Sequence, residues 1–187
     1  MNPTSDLRGE HTAMQIILLA MKRLVYDIRV SINDPDIFRI SQIGDFLSTY
    51  TVHCHYEKEE KGPFAALLDL GKPQVSKTIH HLKAEHTLAR SYIEELNRNI
   101  KKYMDGQYVS FSCIALNLLD FVELEEQHMR TEDIIIFPYC DKLLCDRKLR
   151  SIASEFKIIQ DEKVGHAKHF EYYKLLNQLN TENMLIF

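Results

Sequence analysis

Two histidine–glutamate pairs in this chain have the spacing that would let each pair hold a metal ion. His55 precedes Glu59 by four residues, and His128 precedes Glu132 by four. On a helix, side chains four residues apart lie on the same face, one turn from each other. An imidazole and a carboxylate so placed can bind one ion together. A single pair is weak evidence, because helices contain many histidines and glutamates, but here the pair occurs twice.

The two pairs belong to a longer internal repeat. In each copy a second acidic residue follows the glutamate (Glu60, Asp133), and a phenylalanine beside a proline lies nine residues after the histidine (Phe64, Phe137). These shared features at matched distances indicate that one structural unit is used twice.

A second element also occurs twice and adds two more histidines. Residues 7–12, Leu-Arg-Gly-Glu-His-Thr, match residues 82–87, Leu-Lys-Ala-Glu-His-Thr, at four of six positions. His11 and His86 are 75 residues apart, and His55 and His128 are 73 residues apart. The repeat therefore predicts a helix pair used twice, with one candidate histidine on each helix.

Helical periodicity does not decide between His53 and His55, because His53 and Glu57 are also four residues apart. Only His55 has the acidic doublet and the phenylalanine at the repeated distances. We therefore take His55 and Glu59 as the candidate pair and His53 as a flanking, solvated residue.

Five other polar residues are predicted to lie outside the site. His80 and His81 flank the apolar seam of their helix and are expected at the surface or just behind the ligands. His166 and His169 have no counterpart in the repeat. Glu125 lies one turn before His128 and could orient it, but a solvated acid in an acidic run is the favoured interpretation.

Composition limits the class of protein. The chain has 187 residues, 45% hydrophobic and 27% charged, which suits one globular domain. A net charge of −4 without a basic stripe gives no reason to expect nucleic acid. The four cysteines form no Cys-x-x-Cys motif and are predicted to be free thiols in a reducing cytosol. The longest apolar run is far too short to span a membrane, so we expect a cytoplasmic protein.

Apolar periodicity and turn residues predict five helices. Seams with a single histidine run through the first (Leu7, His11, Met14, Leu18) and third (Ile79, Leu82, His86, Ala89) helices. The first predicted helix follows a Thr4 or Ser5 cap and runs to about Ile32. The second starts near Pro35 and is broken by Gly62-Pro63, and the third spans about Ser76–Met104. The fourth spans about Tyr108–Ile135, with an interruption at Pro138, and the fifth spans about Asp146–Asn180. Leu149, Ile152, Phe156, Ile159, Phe170 and Tyr173 mark one apolar face of the fifth.

An all-α, antiparallel, up-down four-helix bundle would bring the six candidate groups together. Burying four imidazoles and two carboxylates without compensation costs several kcal/mol per charge, and a metal centre removes that cost. Pseudosymmetry predicts two metal ions bridged by both carboxylates. Nitrogen and oxygen ligands without thiolate favour iron or manganese over a structural zinc. The predicted ligands are His11, His55, Glu59, His86, His128 and Glu132.

With these six residues, the chain resembles the hemerythrin-like (HHE cation-binding) domain family over about residues 5–145. The four histidines and two glutamates match the family's ligand pattern, and Glu132–Pro138 resembles its characteristic tail. The resemblance implies a single domain over residues 1–187, with the bundle at about 5–145 and an additional C-terminal helix at about 146–180. It also implies a carboxylate-bridged centre of two iron ions with an oxo or hydroxo bridge, in which manganese or zinc can substitute.

The chain departs from the oxygen-carrying hemerythrins at two positions. Those proteins have a further histidine four residues before the ligand of helix three, where this chain has Leu82. They also use an aspartate five residues after the last histidine; Asp133 fits that spacing, whereas the repeat favours Glu132. A symmetric site of four histidines and two glutamates is the better prediction, with a coordination position open to a small ligand.

Three classes of function are consistent with these residues. The leading hypothesis is a non-haem di-iron protein that binds or senses dioxygen, or stores or handles iron. The second is a di-iron enzyme that acts on peroxide or nitric oxide or repairs iron centres, although repair proteins of the family typically carry a cysteine in an N-terminal segment and residues 1–10 have none. The third, a purely structural bundle, requires six matched positions to arise by coincidence.

Overall fold

The computed structural model describes residues 2–30, 36–107 and 111–184, and nearly all of them are helical. In chain order the helices are α1 (Pro3–Val30), α2 (37–68), α3 (Pro73–Met104), α4 (111–143), α5 (Asp146–Lys163) and α6 (Gly165–Met184). No helix within the described residues is long and apolar enough to cross a lipid bilayer.

Helices α1 to α4 form the predicted antiparallel bundle, which confirms the fold class. Along each pair of neighbouring helices, residue numbers rise on one helix as they fall on the other, so the two helices are antiparallel. On α1 and α4, Arg8 meets Asp133 and Lys22 meets Glu126. On α3 and α4, His86 meets His128 and Asn99 meets Asn117. On α2 and α3, Glu60 meets His86 and Ser48 meets Asn97.

The apolar seams predicted from periodicity face the interior. Two buried clusters fill it, one containing Leu7, Leu82 and Phe137 and the other Met14, Ile93 and Phe121. On α1 and α3, His11 and His86 lie between residues of the two clusters. The histidines thus form a polar layer between two apolar clusters.

The prediction that Gly62-Pro63 breaks the second helix was wrong. The chain stays helical from 37 to 68 because two stretches, Leu47–His55 and Glu60–Phe64, have the wider π-helical turn. Pro63 lies in the second of these. A proline cannot donate the normal backbone hydrogen bond, and a π-helical turn is one way a helix accommodates the defect. A third π-helical stretch, Glu132–Ile136, carries α4 into Phe137–Leu143, so Pro138 does not interrupt that helix either.

Two helix starts also differ from the prediction. Helix α1 begins at Pro3, because the side chain of Asn2 accepts the backbone N–H of Thr4 and caps the helix before Thr4 or Ser5 can do so. Helix α3 begins at Pro73, directly after the turn at Gly71, rather than at Ser76. The predicted start of helix two at Pro35 lies outside the described residues. Within them, α2 begins at Ile37 after an Asp36 cap.

The predicted fifth helix is two helices, α5 and α6. The break occurs at Gly165, whose φ of +68° is accessible to glycine at little cost. The break changes which face of α6 meets the bundle. Tyr172, Leu175 and Leu179 are buried, whereas the predicted core residues Phe170 and Tyr173 are 57% and 58% exposed.

Candidate metal centre

The six predicted ligands lie together in the polar layer of the bundle. One histidine comes from each of α1 to α4, and α2 and α4 each add a glutamate one turn later. All six side chains are at most 2% exposed. They are His11, His55, Glu59, His86, His128 and Glu132.

The two glutamates stand between two pairs of histidines. His55 Nε2 lies 3.0 Å from Glu59 Oε1, and His11 Nε2 lies 3.2 Å from Glu132 Oε2. On the other side, His86 Nε2 lies 3.2 Å from Glu59 Oε2, and His128 Nε2 lies 3.4 Å from Glu132 Oε1. Each carboxylate therefore presents one oxygen to each histidine pair.

This arrangement makes two overlapping groups of possible metal ligands among the described residues. We call the first site A, formed by His11, His55, Glu59 and Glu132, and the second site B, formed by Glu59, His86, His128 and Glu132. Within each group the candidate ligand atoms lie within 4.8 Å of one another. Because both glutamates belong to both groups, the geometry suits two ions that share two carboxylates.

The inner polar atoms lack the partners that buried polar atoms normally have. His11 Nε2, His55 Nε2 and all four carboxylate oxygens of Glu59 and Glu132 are buried without a hydrogen bond. His86 Nε2 and His128 Nε2 face each other at 3.0 Å. Leaving such atoms unsatisfied costs about 1–3 kcal/mol each, and more for charged groups. Metal ions would satisfy all of them, so the residues fit the cations that their types suggest.

In each of the four predicted histidine ligands, the nitrogen that faces away from the centre, Nδ1, is bound to a carboxylate. His55 Nδ1 lies 2.8 Å from Glu10 Oε2 and His86 Nδ1 lies 2.8 Å from Glu60 Oε1. His128 Nδ1 lies 2.9 Å from Glu85 Oε2, and His11 Nδ1 lies 3.2 Å from Asp133 Oδ1. A carboxylate at Nδ1 fixes the ring and leaves the lone pair of Nε2 for a metal ion, which is the usual environment of a metal-binding histidine.

These four carboxylates were not predicted, although the repeat contains them. Glu10 and Glu85 directly precede the histidines of α1 and α3, and each binds the histidine of the next helix. Glu60 and Asp133 directly follow the glutamates of α2 and α4, and each binds a histidine of the other repeat copy. The repeated Glu-His dipeptide and the acidic doublets were the available signal, but only a structure shows which ring each acid reaches.

The same contacts separate Glu132 from Asp133. Glu132 is fully buried between His11 and His128. Asp133 lies outside, where it binds the outer nitrogen of His11 and the guanidinium of Arg8. Likewise, His55 is fully buried in site A, whereas His53 is exposed.

Electrostatics favour the protonated form of His11, His55 and His128 when no metal ion is bound. Burial lowers the pKa of His11, but its hydrogen bond to Asp133 and the nearby Glu132 and Glu59 outweigh this effect and raise its pKa to about 11. Burial also lowers the pKa of His55, yet Glu59 and Glu10 raise it to about 9. The pKa of His128 is raised in the same way, chiefly by Glu132. Metal binding must therefore displace protons from these rings.

The prediction that Glu125 is a solvated acid was wrong. Glu125 is 1% exposed, and its Oε2 accepts a hydrogen bond of 2.5 Å from the hydroxyl of Tyr56. It does not bind His128, whose outer nitrogen is occupied by Glu85. The ring of Tyr56 stacks on His86 with a centroid distance of 3.8 Å. Sequence reasoning missed Tyr56, because a tyrosine beside His55 has no counterpart in the second copy, where Met129 follows His128.

The remaining histidines do not approach the centre. His80, His166 and His169 are exposed, and the exposed His81 pairs with the outer carboxylate of Glu85, at 3.2 Å. The prediction of a surface or supporting place for His80 and His81 agrees with these positions.

A family comparison agrees with the geometry. The model of the hemerythrin HHE cation binding domain matches residues 2–140. The chain belongs to this family. No curated protein and no solved structure matches it significantly. Hemerythrin-like domains bind small ligands such as oxygen at a metal centre, and the buried histidine–glutamate cluster of this chain fits a metal-binding site.

The position of His53 allows a direct test of the ligand prediction. We expect His53→Ala to keep its metal, because this side chain is exposed and belongs to neither group of candidate ligands. His55→Ala and Glu59→Ala should lose metal. The measurement is the metal content of the purified variants after loading and removal of free metal. Retention by His55→Ala together with loss by His53→Ala would move the site to the rejected register.

Proposed function

We propose that this hemerythrin-like domain is a non-haem di-iron protein that binds or senses dioxygen or a related small ligand. The observation that carries the proposal is the set of six buried inner atoms without hydrogen-bond partners, which are the Nε2 atoms of the two site A histidines and the four oxygens of the glutamates that both sites share. His11 and His55 would hold one ion, and His86 and His128 the other. Glu59 and Glu132 would bridge them.

The donor set supports iron. Each site offers two imidazole nitrogens and two carboxylate oxygens, and no cysteine belongs to either group. Ligands of this type suit iron or manganese, whereas structural zinc sites usually contain thiolate. Two nitrogens and two oxygens from the protein would also leave open coordination positions on a non-haem iron ion, where an exogenous ligand could bind.

The surroundings of the site support a binding function. Six apolar side chains from the two buried clusters on either side of the histidine layer are all at most 3% exposed. They are Met14, Leu18, Ile79, Leu82, Ile93 and Phe121. An apolar wall excludes water and so limits hydrolysis and loss of electrons to side reactions. Such an environment favours reversible binding over turnover.

An oxygen titration tests this proposal. Protein loaded with ferrous iron under anaerobic conditions should take up dioxygen and develop a visible absorption band. The zinc-loaded protein is the control, because zinc has no redox chemistry, and it should develop no band. Loading with iron followed by no oxygen uptake and no spectral change would contradict the proposal.

One observation favours a second candidate, a di-iron enzyme that acts on peroxide or nitric oxide. Tyr56 and Glu125 form a buried hydrogen-bonded pair in contact with His86, and Glu125 Oε1 has no partner. Burial and the adjacent carboxylate raise the pKa of Tyr56 well above 10. The pair therefore keeps a proton beside site B, which a reaction that consumes protons would require.

Peroxide consumption distinguishes the two candidates. We expect the loaded protein to consume added peroxide slowly, below about 1 per second. A faster sustained rate that falls in Tyr56→Phe, with metal content unchanged, would favour the enzyme. Tyr50→Phe is the matched control, because Tyr50 stacks on Phe46 rather than on a histidine.

Helix α5 packs against α1 and α2, and α6 packs against α1. We therefore propose that residues 1–187 act as one domain, in which the two C-terminal helices are part of the same folded unit.

A further inference from the structure

Each of the four outer carboxylates is itself bound by a basic side chain. Asp133 binds Arg8, Glu60 binds Arg90, Glu85 binds His81 and Glu10 binds Lys58. Three of these basic side chains are 35% to 72% exposed, whereas that of Lys58 is only 5% exposed. Lys58 thus differs from the others, since its ammonium group is withdrawn from water.

Gln160 of α5 supplies the partner that Lys58 needs. Lys58 Nζ donates to Gln160 Oε1 and to Glu10 Oε1, both at 2.5 Å. Glu10 Oε2 in turn binds His55 Nδ1 at 2.8 Å. Cys54 Sγ also donates to Gln160 Oε1, at 3.3 Å. A continuous series of hydrogen bonds therefore runs from Gln160 through Lys58 and Glu10 to a predicted metal ligand.

The position of α5 is set by close packing against α2. A Cβ atom added at Gly62 would lie 2.8 Å from both Ile152 Cγ2 and Phe156 Cε1, so only glycine allows this approach. Ile152 and Phe156 are on the same helix as Gln160, two turns and one turn before it, respectively. The packing therefore holds Gln160 against the ammonium group of Lys58.

The series has no counterpart in the second copy of the repeat. Lys58 lies three residues after His55, and Thr131 lies three residues after His128. Thr131 donates to the carbonyl of Gln127 on its own helix. Moreover, α5 lies beyond residues 2–140, which match the family. The feature is therefore specific to site A and is added by a helix outside the matched region.

Lys58 has other acceptors nearby if Gln160 releases it. A cleft of about 330 Å³ lies between α1, α2 and α5, and Glu10, Lys58 and Gln160 line it together with Asp6 and Asp161. Without the amide oxygen of Gln160, a buried ammonium group is short of one hydrogen bond. Rotation toward Asp6, Asp161 or water would then leave Glu10 without its anchor.

We propose that Gln160 is a positioning residue for site A, acting through Lys58 and Glu10 on the orientation of the His55 ring. This inference rests on the proposed function, because it requires a metal ion at His55. A carboxylate that directly orients a metal-binding histidine is worth about 10–100-fold in metal affinity. Since Gln160 acts one contact further out, its effect is expected at the lower end, about tenfold.

Metal release to a chelator tests the inference. In Gln160→Met, which keeps the volume of the side chain, one of the two ferrous ions should leave about tenfold faster, and the other at the parent rate. Gln160→Glu should restore the parent rate, because its carboxylate accepts from Lys58. Lys58→Gln breaks the same series from the inner side and should give the same asymmetry. Glu155→Leu, an exposed position on α5, is the control and should change neither rate.

The outcomes separate this inference from the proposed function. If the parent binds no iron, the proposed function fails. If the parent binds two ions and Gln160→Met releases both at the parent rate, the positioning role is overturned. Equal acceleration of both ions, or no rescue by Gln160→Glu, would indicate general loosening of α5 and also overturn it. If Gln160→Met does not fold, the comparison of Lys58→Gln with the parent decides.

Discussion

Replacement of Glu59 by alanine should remove both metal ions from the protein. Glu59 is fully buried and presents one oxygen to His55 in site A and the other to His86 in site B. Its loss takes a ligand from both ions at once. We expect metal content to fall from about two ions per chain to nearly none. By contrast, His11→Ala and His86→Ala each change one site and should retain about one ion.

Metal analysis of the loaded and desalted variants makes this comparison. Glu60→Gln is the matched control, because Glu60 is the next residue and binds the outer nitrogen of His86. It should keep both ions at saturation, with affinity reduced about 10–100-fold. If Glu59→Ala retained one ion as firmly as the histidine variants, Glu59 would not bridge the two sites.

Metal removal should lower the free energy of unfolding of the protein. It should also make this free energy depend strongly on pH in the alkaline range. Saturation of each site at about 1,000 times its Kd contributes about 4 kcal/mol, which removal forfeits. In the metal-free protein the buried carboxylate of Glu59 lies beside His11 and His55, whose protonated forms it favours. The pKa of His55 is raised to about 9 and that of His11 to about 11, from 6.5.

The sign of the pH effect follows from these pKa values. A histidine whose pKa is higher in the folded than in the unfolded state stabilises the fold fully below pH 6.5, and this stabilisation is lost as the pH rises through its folded pKa. The free energy of unfolding of the metal-free protein should therefore fall by a few kcal/mol between about pH 7 and pH 11. Denaturant unfolding at these pH values measures it.

The metal-loaded protein is the control for the pH effect. Its histidines would bind metal through Nε2 and carry no proton there, so raising the pH should change its stability less over the same range. Calorimetry at pH 7 in buffers of different ionisation enthalpy should also show proton release on metal binding. A metal-free protein whose stability is constant or increases toward pH 11 would contradict the protonated state inferred for His11 and His55.

The bundle and the inner cluster could be predicted because both depend on helical periodicity. A histidine within an apolar seam must point to the core, and a glutamate four residues later must share its face. The internal repeat then selected His55 over His53, and the structure places His55 in the buried cluster and His53 at the surface. Helical spacing together with the internal repeat was therefore sufficient to identify the six inner groups.

The errors arose where long-range packing decides the outcome. Pro63 and Pro138 are helix breakers by local propensity, but Pro63 lies within a π-helical stretch and Pro138 follows one, and both helices stay continuous. Gly165 breaks the last predicted helix, although one glycine in a long apolar pattern is normally tolerated. Glu125 belongs to an acidic run that suggested solvent exposure, and only its partner Tyr56 on another helix explains its burial.

The outer carboxylates show the same limit. Glu10 and Glu60 each neighbour a predicted ligand in sequence, yet each binds a histidine on a different helix. Gln160 is further removed, since it reaches the centre through Lys58 and Glu10. No spacing rule within one helix predicts contacts of this kind.

The number of iron ions bound per chain tests the central claim most directly. Protein loaded with excess ferrous iron under anaerobic conditions and then freed of unbound metal should contain about two ions per chain, because sites A and B share both glutamates and each has its own pair of histidines. A saturated value of one ion or none, in protein that is correctly folded, would contradict the dinuclear centre.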